Sequence, residues 1–84
     1  MNYALLILPR AEKELSALDS RPYELVKQKI YELRANPRPP GCRKLSGEDG
    51  WRVRASNYRV IYEINDREHV VTILRVGHRK EIYR

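Results

Sequence analysis

The sequence predicts an α+β domain of order β-α-α-β-β-β, a helical hairpin packed on one face of a small antiparallel sheet. Two observations carry that expectation. Apolar residues recur every three or four positions between residues 10 and 35, then alternate from Trp51 onward. Between the two patterns lies Asn36 to Gly41, with three prolines and a glycine, through which no regular element can pass. The 84 residues make a single domain over 1–84, without repeat or linker. A chain this short buries only about 60–65% of its unfolded surface.

Each element has its own signal. Asn2 to Leu8 is a short apolar strand ended by Pro9, which suits the first turn of a helix. Ala11, Leu15 and Leu18 then mark an amphipathic helix over about 10–19. Asp19-Ser20-Arg21-Pro22 breaks it and starts another. Tyr23, Val26, Ile30 and Leu33 give the second helix, about 22–35. Beyond the proline loop come three strands in a meander. Trp51 to Ala55 turns at Ser56-Asn57 into Tyr58 to Ile64, which turns at residues 65–68 into His69 to Val76.

The turns imply a register. One centred on Ser56-Asn57 pairs Ala55 with Tyr58, Arg54 with Arg59, Val53 with Val60 and Trp51 with Tyr62. One centred on Asp66-Arg67 pairs Tyr62 with Val71, Val60 with Ile73 and Arg59 with Leu74. The core face then carries Trp51, Val53, Val60, Tyr62, Val71 and Ile73. The other face carries Arg52, Arg54 and Arg59, with Ile61, Leu74, Val76 and, by parity, His78. Like charges directly opposed across a sheet are destabilising. Arg54 facing Arg59 therefore makes sense where a phosphate bridges the cations.

Charge points the same way. Seventeen Lys and Arg stand against eleven Asp and Glu, a net +6. Twelve of the seventeen are Arg, the residue that grips phosphate bidentately. The stretch after Gly77 adds an imidazole, a guanidinium, an ammonium and a phenol in His78, Arg79, Lys80 and Tyr83. These groups bind phosphate and move protons. Arg75 and Lys80 extend the basic set expected to bind RNA. Cys42 is the single cysteine, so no disulfide forms within the chain, and a reducing, cytoplasmic setting is expected. No apolar run approaches the roughly 18–20 residues that cross a bilayer. Two scattered histidines and one cysteine show no ligand spacing, so no metal or other cofactor is expected.

The element order, Trp51-Arg52-Val53-Arg54, Tyr58-Arg59-Val60-Ile61-Tyr62 and the terminal Val76 to Tyr83 together resemble RelE toxins of the RelE/ParE superfamily, over essentially the whole chain. The resemblance implies a type II toxin that enters the ribosomal A site and cuts the mRNA there. It implies a cognate antitoxin protein as partner, and a toxin–antitoxin complex that binds operator DNA. It places Arg52, Arg54, Arg59 and Arg79 on the phosphate and makes Tyr83 the base that activates the 2′-hydroxyl. The best-studied members carry lysines at the two second-strand positions, one of them the general acid. Arginine, with a pKa above about 12, is a poor donor. His78 is therefore expected to act as acid. Two other classes fit the same surface: a ParE-like toxin that binds gyrase, and a non-catalytic RNA- or ribosome-binding module.

Overall fold

The computed structural model describes residues 2–47 and 49–78. Its elements run β1 (Ala4–Ile7), α1 (Pro9–Ser16), α2 (Ser20–Glu32), β2 (Arg43–Lys44), β3 (Trp51–Ala55), β4 (Tyr58–Asn65) and β5 (Val70–His78). The α+β class and the helical hairpin on one sheet face are as expected. Pro9 opens α1 at the position where its missing N–H costs nothing. α2 begins at Ser20, two residues ahead of the expected start, because Pro22 is tolerated within a first turn.

The sheet differs from the expected meander in two ways. It has five strands in the order β1-β5-β4-β3-β2. The two-residue β2 is added beside β3, and β1 joins the far edge parallel to β5, so the sheet is mixed. The chain thus brings its first and last strands side by side. Both helices cover one face: α1 packs on β5, and α2 on β3 and β4. The core between the layers is Ala11, Leu15, Val26, Ile30 and Leu33 from the helices, with Val53, Ala55, Val60, Tyr62, Val71, Ile73 and Val76 from the sheet.

The β3–β4 register is the expected one, from Ala55↔Tyr58 to Trp51↔Tyr62. Ser56 supplies the turn at φ 57°. The β4–β5 register is not. The pairs are Tyr62↔Ile73, Ile61↔Arg75, Val60↔Val76 and Arg59↔Gly77, with a bulge between Ile61 and Tyr62. The connection is four residues long and ends on His69 at φ 58°, so Asn65 pairs with Val70. The bulge then leaves Leu74 without a partner and inverts the parity of everything after it. Val76, expected on the arginine face, is in the core and 1% exposed.

One end of the sheet is closed by a polar clamp. Asp66 accepts hydrogen bonds from the Tyr3 hydroxyl at 2.6 Å and from two Arg38 nitrogens at 3.2 and 2.8 Å. Arg38 also lies over the Trp51 ring, 5.1 Å from its centroid. Tyr3 stacks on His69 at 4.8 Å. Within the core, the Tyr62 hydroxyl donates to the Pro37 carbonyl at 2.7 Å and ties the proline loop to β4. Burial there pushes the Tyr62 phenol above its ordinary pKa, with Cys42 adding to the shift.

Tyr62→Phe should lower stability by about 1–3 kcal/mol, since it leaves a buried carbonyl without its donor. Chemical denaturation would measure it. The Asp66 carboxyl is held at about 2, below its ordinary 3.8, chiefly by its hydrogen bonds from Arg38 and Tyr3. The folded pKa lies below the unfolded one, so this stabilisation is complete above the unfolded value and is lost as pH falls toward about 2. Thermal melting of Asp66→Asn should therefore show a deficit at neutral pH that shrinks in acid.

Candidate functional site

The arginine face follows from the alternation of β3 and β4. Trp51, Val53 and Ala55 turn inward to the helices, so Arg52 and Arg54 must turn outward. Tyr58, Val60 and Tyr62 turn inward on β4, so Arg59 and Ile61 turn outward. The pairing builds two rows across that outer face. One is Arg43↔Arg52↔Ile61↔Arg75 and the other Arg54↔Arg59↔Gly77. Directly opposed residues share a face. Arg52 and Arg59 are half-buried, and Arg54 and Arg43 are exposed.

The electrostatics are those of crowded like charges. Arg52 is held below the usual guanidinium pKa, first by partial burial and then by Arg59, Arg54 and Arg43. Among the described residues, no acidic side chain forms an ion pair with any of these four. Arg59 Nε is buried without a hydrogen-bond partner among them. Such a surface offers several guanidinium forks to an anion and, among the described residues, has no ion-paired acid to satisfy them.

The expected site residues divide into three groups. Arg52, Arg54 and Arg59 stand together on the open face. Arg75 shares it by register but is engaged by Glu14 of α1, at 3.0 Å. The face expected of His78 is a correction. His78 pairs with Tyr58, a core-face residue, and its ring meets the Tyr58 ring edge-on at 5.7 Å. The bulge at Leu74 removed the parity on which its acid role rested. Arg79, Lys80 and Tyr83 lie outside the described residues. Arg43 was not anticipated. A two-residue strand has no periodicity to read, and only the adjacent pair Arg43-Lys44 after the proline loop hinted at it. Among the described residues, no three His, Cys, Asp or Glu side chains are grouped to hold a metal ion. Nor is any helix long and apolar enough to cross a membrane.

Comparison with known proteins meets this geometry. Residues 5–83 match the family model described as the ParE toxin of the type II toxin–antitoxin system parDE. The mRNA interferase toxin RelE of Escherichia coli is 33% identical over 93 residues, covering 99% of this chain and 92% of that protein. The archaeal RelE–RelB complex of Pyrococcus horikoshii OT3 superposes with a TM-score of 0.84 at 30% identity, over 98% of this chain and 100% of that one. The toxin–antitoxin complex RelBE2 of Mycobacterium tuberculosis gives 0.83 at 28%, over 94% and 100%.

If the arginines are held together against their own repulsion, relieving it should not weaken the fold. Arg54→Gln should match or exceed the wild type in stability at low salt, by up to about 1 kcal/mol. The difference should vanish near 1 M salt, where the screening length is about 3 Å. Denaturation at two ionic strengths would check it.

Proposed function

This chain belongs to the RelE/ParE superfamily of type II toxin–antitoxin toxins, and on that premise we propose that it is an endoribonuclease that cuts mRNA in the ribosomal A site and so stops translation. The observation that carries this reading is Arg54 directly opposite Arg59 with Arg52 beside them, none of the three ion-paired to an acid among the described residues. The E. coli relative, an mRNA interferase by name, supports it.

In the proposed reaction the 2′-hydroxyl attacks the adjacent phosphorus. The products are a 2′,3′-cyclic phosphate and a 5′-hydroxyl, and no metal enters the step. Arg52, Arg54, Arg59 and Arg79 hold the charge that builds on the phosphorane. Tyr83, as its phenolate, takes the 2′ proton. The leaving 5′ oxygen takes its proton from solvent, since arginine cannot give one up at neutral pH. Arg43 and Lys80 extend the grip on the RNA backbone. A cognate antitoxin, as RelB is in the P. horikoshii complex, would neutralise the basic chain in the cell, and the resulting complex would bind operator DNA.

A second reading has one observation in its favour. The matched family model carries the ParE description, which suits a toxin that binds gyrase instead of cutting RNA. Induction of the chain without its antitoxin in a bacterium separates the two. Under the first reading, protein synthesis stops and new mRNA 5′ ends appear within codons. Under the second, mRNA stays intact and gyrase function fails.

Variants sharpen the outcome. Arg59→Ala and Arg79→Ala should each slow cleavage by about 10²–10³-fold, the usual cost of removing one charge-stabilising donor. His78→Gln should cut nearly as well as the wild type. A loss on the scale of about 10²–10⁴, typical of a general acid, would restore His78 to the chemistry.

A further inference from the structure

β5 loses one of its two neighbours before it ends. β1 pairs it from Ala4↔Val70 to Ile7↔Ile73, and the Leu8 N–H closes that ladder on the Ile73 carbonyl at 3.0 Å. From Leu74 to His78 only β4 remains alongside among the described strands, and the bulge falls at this same point. A strand end with a broken register, beyond the reach of its second neighbouring strand, is less constrained than the middle of a sheet.

A single side chain from outside the sheet takes the place of the missing strand. Glu14, half-buried on the last turn of α1, accepts the Val76 N–H at 2.9 Å on one carboxylate oxygen. Its other oxygen accepts from the Arg75 guanidinium at 3.0 Å. Arg10, one turn earlier on α1, lies 3.7 Å from that second oxygen. Both contacts are charge-assisted, roughly twice as strong as neutral hydrogen bonds. They grip β5 on either side of the peptide joining Arg75 to Val76, immediately before Gly77.

What this grip protects is a register. Gly77 sits opposite Arg59 and places no side chain beside it. A slip of β5 by one residue would bring Val76 or His78 opposite Arg59 and turn every following side chain to the other face. We propose that Glu14 is a positioning residue of the arginine-face site, whose carboxylate stands in for a strand and locks the bulged end of β5 so that Gly77 stays opposite Arg59. The catalytic part of this inference rests on the endoribonuclease reading, while the locking of β5 does not.

The test compares wild type, Glu14→Gln and Glu14→Ala in three measurements. These are residue-level amide exchange, binding to ribosomes programmed with a defined mRNA, and the single-turnover cleavage rate at saturation. In Glu14→Ala the amides of Val76 and Gly77 should exchange faster, while those of β3 and its partners on β4 are unchanged. Its saturating cleavage rate should fall about 10²-fold, as for a site displaced by about an ångström. Its affinity should hold, because Arg52, Arg54 and Arg59 still face the RNA. Glu14→Gln keeps an acceptor for Val76 and should recover most of the rate. Unchanged exchange at Val76 and Gly77 in Glu14→Ala would overturn the proposal. So would exchange that rises evenly across the sheet while affinity and rate fall together, which marks a general stabiliser. If the wild type cuts no RNA, the endoribonuclease reading fails, and the exchange data alone decide whether Glu14 locks β5.

Discussion

Arginines crowded on one sheet face repel one another, and they stay there because the opposite face cannot be moved. Val53, Val60, Tyr62, Val71 and Ile73 are at most 3% exposed. Each such side chain contributes about 1.5–3 kcal/mol by leaving water. The opposed pair Arg54 and Arg59 costs at most about 1 kcal/mol. The core therefore decides the register of β3 on β4, and the register sets the cations side by side. Alone that surface is mildly unfavourable, and an anion set between the cations would relieve it.

The rest of the architecture keeps the two ends of the sheet distinct. At one end Asp66, Tyr3 and Arg38 clamp the β4–β5 turn to the proline loop and to β1. There Arg38 has its counter-ion, and its cation also faces an aromatic ring. At the other end Arg52, Arg54 and Arg59 crowd together, and partial burial, with the neighbouring cations adding to it, holds Arg52 below the usual guanidinium pKa. One type of residue thus serves as a staple where an acid meets it and stands without an ion pair, among the described residues, where none does.

Much of this was legible in the residues. The period of two across Trp51 to Ile64, with Ser56-Asn57 at its centre, was enough to place Arg54 opposite Arg59. The helical hairpin was equally plain from Val26, Ile30 and Leu33. What escaped was set by tertiary pairing. The turn after Asn65 ends on His69 in a left-handed conformation, a choice its polar residues did not announce. The bulge at Leu74 has no sequence mark, because Leu74 suits a strand on either face, yet it carried Val76 into the core and His78 to the side of Tyr58. β1 is apolar enough to pair in either direction, and only its return to β5 made it parallel. Arg43 lay in a strand too short to have a pattern.

The central claim is that this arginine face cuts RNA held on the ribosome. The most direct measurement uses purified protein, ribosomes stalled on a defined mRNA with an empty A site, and end-group analysis of the product. The account predicts one cut within the A-site codon that leaves a 2′,3′-cyclic phosphate and a 5′-hydroxyl, slowed about 10²–10³-fold by Arg59→Ala in a protein that remains folded. An mRNA that stays intact under saturating, folded wild-type protein would contradict it.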